Sequence, residues 1–261
     1  MDLRKSFDNE VINYDKWRPR YCNELFNDII EHSKLNPEKE CLEIGCGTGQ
    51  ATESILKTGS SLLALELGEN FTEFTRNKFK SYKNFQIENA DFEKFDLKNN
   101  KFDLVFSGTA FHWISEEIGY RKVFNSLKSG GTIALFWNKP GPKSFDDPLH
   151  LKMQEVYDKY FGRETMKKAK FERENPQERY GKIISTIEKY GFIEAECRLY
   201  KQVREFTADE YVSLISTYSD NITMPEPMKS QFLTGIRDVI YDFNNNIKVY
   251  DTMDLYLARK P

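Results

Sequence analysis

The run Glu40-Cys-Leu-Glu-Ile-Gly-Cys-Gly-Thr-Gly-Gln50 sets a carboxylate, Glu43, just ahead of three closely spaced glycines, Gly45, Gly47 and Gly49. Glycine serves where φ must turn positive or where a ligand approaches the backbone with no Cβ in the way. A short apolar strand (Cys41, Leu42, Ile44) breaking into such a turn and then a helix, expected from Thr48 to about Lys57, is how a parallel sheet builds a nucleotide-type site at its carboxyl edge. The chemistry indicated is the binding of an adenosine-containing cofactor. Two more acids follow at the ends of apolar runs. Glu66 closes Leu62-Leu-Ala-Leu-Glu-Leu67, about 20 residues past the first glycine, where an acid accepts hydrogen bonds from ribose hydroxyls. Asp91 and Phe92 follow the short run Phe85-Gln-Ile-Glu88.

Spacing separates this loop from its rivals. A dinucleotide fingerprint, G-x-G-x-x-G/A, needs a third small residue so that the helix packs closely under a pyrophosphate. Gln50 stands at that place, which weakens a dehydrogenase reading. No Gly-Lys-Ser/Thr follows, so the loop is not a P-loop. Glu43 beneath the turn suits a cationic ligand better than a pyrophosphate.

The combination Leu-Glu-Ile-Gly-Cys-Gly-Thr-Gly resembles the first motif of the class I S-adenosylmethionine-dependent methyltransferases. The resemblance covers about residues 38–140 and implies S-adenosyl-L-methionine as cofactor. It implies that Glu43, Gly45, Cys46, Gly47, Thr48 and Gly49 cradle the methionine part, that Glu66 and Leu67 meet the ribose, and that Asp91 and Phe92 meet the adenine, with Thr109 nearby. Shorter motifs resemble the trans-aconitate methyltransferase-like branch, whose members act on small molecules and in several cases esterify carboxylates. These are the opening Phe7…Tyr14…Arg18-Pro-x-Tyr21, Phe111-His-Trp-Ile114, and Ser216-Thr-Tyr-Ser219.

Those residues must be positioned by alternating strands and helices. Phe102-Asp-Leu-Val-Phe-Ser107 reads as a fourth strand, running into Gly108-Thr-Ala-Phe-His-Trp-Ile114 and then a helix opening at Ser115. Ser129–Asn138 is a Gly-led fifth strand, so Asn138 opens onto the same crevice. Four β-α alternations argue for a parallel, doubly wound sheet, and right-handed crossovers bring all the strand ends to one edge. The fold expected is α/β and Rossmann-like: a mostly parallel seven-stranded sheet with an antiparallel last strand and helical cap insertions. Residues 1–37 form an N-terminal helical cap, 38–140 the cofactor-binding core, and 141–261 the rest of the sheet with helical lid insertions, all within a single catalytic domain. After the Pro/Gly loop Lys139–Pro142, helices are expected around Leu149–Phe161 and at Gln177–Tyr190, the latter stopped by Gly191. A charged run, Lys167–Glu174, lies between them. A sixth strand is expected at about Ile193–Glu205, a helical insertion over Thr207–Asn244, and the last strand at about Lys248–Ala258.

With 261 residues, 39% of them hydrophobic, the chain can bury a full core. A net charge of −3 gives no electrostatic footprint for a nucleic-acid backbone, so no nucleic-acid partner is expected. No apolar run approaches a membrane span and the first residues hold no apolar signal core, which leads to an expected cytoplasmic location without membrane contact. Cys22, Cys41, Cys46 and Cys197 show no C-x-x-C spacing, and no metal site is expected.

The expected reaction is in-line methyl transfer to a small-molecule acceptor, with a carboxylate as one candidate class. Methylation of nucleic acid or protein, and cofactor binding without turnover, are the alternatives. A carboxylate acceptor needs no base, whereas a phenol or amine is helped by one. His112 is the histidine placed for that, either as a base or as a positioning wall residue. Tyr14, Arg18 and Tyr21 are candidates to close over the ligands, Arg18 also as a partner for an anionic acceptor. Trp113, Asn138 and Tyr218 are the remaining candidates for the acceptor wall and lid.

Overall fold

The structure, a computed structural model, describes residues 11–162 and 176–261. Phe7 of the opening motif and the charged run Lys167–Glu174 lie outside the described residues. Seven strands form one sheet: β1 (Glu40–Ile44), β2 (Ser61–Glu66), β3 (Phe85–Asn89), β4 (Phe102–Gly108), β5 (Leu127–Gly141), β6 (Ile193–Phe206) and β7 (Ile247–Arg259). Their spatial order is β3-β2-β1-β4-β5-β7-β6. The first five pair in parallel, while β7 runs antiparallel between β5 and β6. The expected doubly wound sheet with an antiparallel last strand is therefore what the chain forms. The order reverses direction between β1 and β4, and the crevice outside the carboxyl ends at such a switch point is where ligands bind in open α/β sheets.

Strand periodicity sorts the core into two layers. On β5, Ile133, Leu135 and Trp137 face one side, where they join Val123 of helix α5 (Glu116–Ser126) and Ile187 of a later helix, Pro176–Lys189. The alternate residues Ala134 and Phe136 face the other side with Leu25 and Ile29 of α2 (Asn23–Ser33). That two-residue alternation is what a strand covered on both faces requires. The other helices before β5 are α1 (Val11–Trp17), α3 (Thr52–Leu56) and α4 (Glu69–Lys78).

A third cluster belongs to the additions. Met153 of α6 (Pro148–Phe161), Val212 and Ile215 of α8 (Ala208–Ser216), and Phe232, Ile236 and Ile240 of α10 (Met228–Asp242) pack together apart from the sheet layers. The helix Pro176–Lys189 is α7, and the short turn Ser219–Ile222 is α9. A capping box between Thr207 and Glu210 starts α8, satisfying backbone donors at its first turn.

One element starts later than expected. The helix read from Thr48 begins at Thr52, because Gly49 sits at φ +84° and its N–H closes a turn on the Cys46 carbonyl at 2.9 Å. A left-handed residue ends right-handed helical hydrogen bonding. A Cβ added at Gly49 would lie 2.3 Å from Phe79 Cε2. Gly49→Ala is therefore expected to destabilise the fold by at least about 1–2 kcal/mol from the φ penalty alone. Urea unfolding checks this, and an unchanged midpoint would contradict it.

Candidate active site

A cavity of about 850 Å³ opens at the carboxyl ends of β1, β2, β4 and β5. Its floor on the β1–β2 side is built by two buried acids. Glu66, 7% exposed, accepts the Gly47 N–H on one carboxylate oxygen and the Gly68 N–H on the other, both at 2.9 Å. It thereby joins the end of β2 to the glycine turn after β1. The turn is tied further by the Gly45 N–H on the Leu65 carbonyl (2.8 Å) and by the Thr75 hydroxyl of α4 on the Gly47 carbonyl (2.8 Å). Gly45 has φ +68°, and a Cβ there would meet Ala110 Cβ at 2.6 Å, so the turn can sit this close to the loop after β4 only as glycine.

Glu43, 2% exposed, accepts the Thr52 hydroxyl at 2.6 Å. Burial, reinforced by the nearby charge of Glu66, pushes its pKa up to about 8 despite that hydrogen bond. The site thus keeps two acids close together in a water-poor place, and a cationic ligand is what would favour ionisation of both. Asp91 and Phe92 continue this wall after β3. The Asp91 side chain accepts the Glu93 N–H (3.0 Å), which fixes the turn.

The wall after β4 begins at Thr109, a β-branched residue at φ +54°. That conformation is costly for such a side chain. It is held by the Thr109 N–H on the Phe136 carbonyl (2.8 Å) and by a hydroxyl pair with Tyr21 (2.7 Å). Burial pushes the Tyr21 phenol far above its ordinary pKa, so Tyr21 is a fixed neutral hydroxyl. The 3-10 turn Phe111–Trp113 then carries His112. The Trp137 indole N–H donates to His112 Nδ1 at 3.1 Å, which leaves the imidazole proton on Nε2. Burial, with Lys139 and Arg179 nearby, lowers the His112 pKa to about 4. At neutral pH the ring is an uncharged donor, too weakly basic to remove a proton from a phenol or ammonium.

Beside it, Arg179 of α7 pairs with Asp254 of β7, which is 1% exposed, and lies over the Trp137 ring at 5.7 Å. Asn138 donates to Asp251 at 2.9 Å, and Asp251 is held in turn by Arg204. Across the mouth, the Arg18 guanidinium sits between the rings of Tyr14 (4.8 Å) and Tyr218 (4.9 Å) and donates to the Thr217 carbonyl at 2.8 Å. This links the N-terminal segment to the helical insertion.

Of the cofactor candidates, Glu43, Gly45, Cys46, Gly47, Glu66, Leu67, Asp91, Phe92 and Thr109 line the cavity. Thr48 and Gly49 do not. Thr48 is wholly buried, with its carbonyl on Lys78 Nζ at 2.9 Å, and Gln50 and Ala51 reach the cavity in their place. His112, Tyr14, Arg18, Tyr21, Trp113, Asn138 and Tyr218 all reach it. Arg179, Lys139, Ile183 and Thr186 also line it and were not anticipated. The usable signal lay in β7, where Asp254 interrupts the apolar run Met253–Ala258 and Asp251 stands two residues before it; buried acids imply buried partners.

Known proteins resemble this chain in sequence and in fold. A family described as a methyltransferase domain matches residues 42–135. The Saccharomyces cerevisiae protein named Probable S-adenosylmethionine-dependent methyltransferase CRG1 is 27% identical over 99% of this chain and 97% of its own. Malonyl-[acyl-carrier protein] O-methyltransferase 2 of Ilyobacter polytropus is 29% identical over 84% of this chain and 89% of its own. Among solved structures, phosphoethanolamine N-methyltransferase 2 of Haemonchus contortus shares the fold with a TM-score of 0.59 at 16% identity, over 100% of this chain and 60% of that one. The methyltransferase-domain match and these relatives support a class I S-adenosylmethionine-dependent methyltransferase. It is an enzyme of that class, and S-adenosyl-L-methionine is its cofactor.

The buried acid has a pH consequence. Glu43 is protonated in the folded, ligand-free protein up to about pH 8 but ionises near its ordinary 4.5 when unfolded. Between those values the native state binds more protons, so this group's contribution to stability falls as pH rises across that window. Glu43→Gln is expected to flatten the decline in stability of the ligand-free protein from pH 5 to 8, measured by urea unfolding. An identical pH slope in the variant would contradict the assignment.

Proposed function

We propose that the protein methylates a carboxylate of a small molecule, forming a methyl ester. The observation that carries this reading is the separation of charge in the cavity. Glu43, Glu66 and Asp91 line the β1–β3 side, whereas Lys139 and Arg179 line the β5–α7 side, with Arg18 between them. Glu116 and Asp220 also line the cavity; Glu116 is engaged by Lys189 and Tyr190, as Arg179 is by Asp254. The acidic side suits a sulfonium cofactor and the basic side an anionic acceptor. The motif resemblance to the trans-aconitate methyltransferase-like branch supports the same class. So does the relative named for O-methylation of a malonyl group, which carries a free carboxylate.

When bound, S-adenosylmethionine would supply an electrophilic methyl group for a carboxylate oxygen, the C–S electron pair leaving on sulfur, so that no proton would have to be moved by the protein. Glu43, the Gly45–Gly47 turn, Glu66 and Asp91 are the residues to hold it. The protein's remaining tasks are to orient the acceptor and exclude water, which can contribute roughly 7–11 kcal/mol when the geometry is good. A neutral His112 fits this chemistry because no base is needed. Tyr14, Arg18 and Tyr218 act as a clasp over the cavity, with the described residues 11–37 as a cap and the α8–α10 insertion as a lid. Trp113 and Asn138 complete the acceptor wall.

A screen of carboxylic acids, phenols and amines with methyl-labelled cofactor tests the reading. Labelled, base-labile esters are expected from a carboxylate, and label found only in a phenol or amine would overturn it. With a carboxylate acceptor, His112→Ala should lower turnover a few-fold and leave no limb near pH 6–7 in either protein. Loss of such a limb in the variant would make His112 a base after all.

A further inference from the structure

The carboxylate reading leaves open which group selects the acceptor. Arg179 has three fixed constraints. One terminal nitrogen is paired with Asp254, the Tyr256 hydroxyl braces the same Asp254 oxygen at 3.1 Å, and the guanidinium lies over the Trp137 ring at 5.7 Å. Its Nε and second terminal nitrogen have no protein hydrogen-bond partner among the described residues, and 27% of the side chain remains exposed at the cavity wall. A guanidinium presents its donors in a planar fork, so one edge can stay on Asp254 while another accommodates a second carboxylate. The Trp137 ring beneath it also fixes the neighbouring donor, because its N–H occupies His112 Nδ1 and directs the imidazole proton to Nε2. Two donors are therefore locked through one indole.

Resting on the carboxylate reading, we propose that Arg179 and the Nε2–H of His112 form the subsite that binds the acceptor's carboxylate, with Asp254 as the residue that positions Arg179. One carboxylate oxygen held by these donors leaves its other oxygen free to take the methyl group. Methylation converts the anion into a neutral ester, which keeps the hydrogen-bonding shape but loses the charge-assisted part of the contact. The product is then held more weakly than the substrate, and release follows from the chemistry itself. A purely structural Arg179–Asp254 pair would need only a cation of similar reach, and the spare edge of the fork would have no use.

Removing Arg179 alone strands a buried carboxylate and risks misfolding. The test therefore uses Arg179→Lys, which keeps a cation for Asp254, and the double variant Arg179→Gln/Asp254→Asn, which removes both charges. Calorimetry on protein saturated with S-adenosylhomocysteine measures binding of malonate, succinate, glutarate, tricarballylate and benzoate, with malonamide and succinamide as neutral controls. At least one carboxylate is expected to bind wild type over its amide. Its affinity should fall roughly 10- to 100-fold in both variants, as loss of a charge-assisted hydrogen bond predicts, while affinity for S-adenosylhomocysteine stays within two-fold. With that acid as acceptor, KM should rise more than kcat falls. Equal carboxylate affinity in wild type and variants overturns the subsite while leaving carboxylate methylation standing. Absence of binding by every carboxylate, with phenol or amine methylation in the screen above, overturns both. Absence of binding alone overturns the subsite.

Discussion

Two carboxylates buried under a glycine turn set the conditions for the rest of the molecule. Glu66 ties the end of β2 to the Gly47 amide and to the Gly68 amide that precedes α4, and Glu43 anchors Thr52, the first residue of α3. Such groups are costly to bury unless they are hydrogen-bonded and balanced. Backbone amides and a hydroxyl supply the hydrogen bonds, but among the described residues no lysine or arginine pairs with Glu43. Its pKa near 8 shows the imbalance. A bound cation completes the balance, so the ligand this turn favours follows from electrostatics as well as from shape.

The opposite wall is made by a different part of the chain and has the opposite charge. Antiparallel insertion of β7 between β5 and β6 brings Asp251 and Asp254 alongside Asn138 and Trp137. Those acids orient Arg204 and Arg179, and Trp137 orients His112. Much of this wall is thus held indirectly, by Asp251, Asp254 and Arg204, which do not line the cavity. The clasp of Arg18 between Tyr14 and Tyr218 joins two additions that are far apart in sequence, and it spans the boundary between the two sides of the cavity.

What was legible in the sequence follows from how local each feature is. The glycine turn, Glu43, Glu66 and Asp91 lie at strand ends in a contiguous run of β-α units, where spacing alone brings them to one edge. The seven strands were readable because apolar runs with turn residues between them leave few alternatives. The start of α3 was not, since the reading carried the helix straight through Gly49, which sits at positive φ in the turn closed on Cys46 and whose missing Cβ leaves room for Phe79. Arg179 was invisible for another reason. A lone arginine on an amphipathic helix reads as a solvated charge, and its partner Asp254 lies 75 residues away, reached only through the register of β7. His112 was readable as a wall residue, but its neutrality depends on burial beside Lys139 and Arg179 and its tautomer on Trp137, which no local pattern encodes.

The buried acids as holders of the cofactor are tested most directly by calorimetric titration of S-adenosylmethionine and NAD into wild type and Glu66→Ala. Binding of S-adenosylmethionine but not NAD to wild type, weakened at least several-fold in the variant, is the predicted result. Unchanged affinity in Glu66→Ala, or binding of NAD in preference to S-adenosylmethionine, would contradict it.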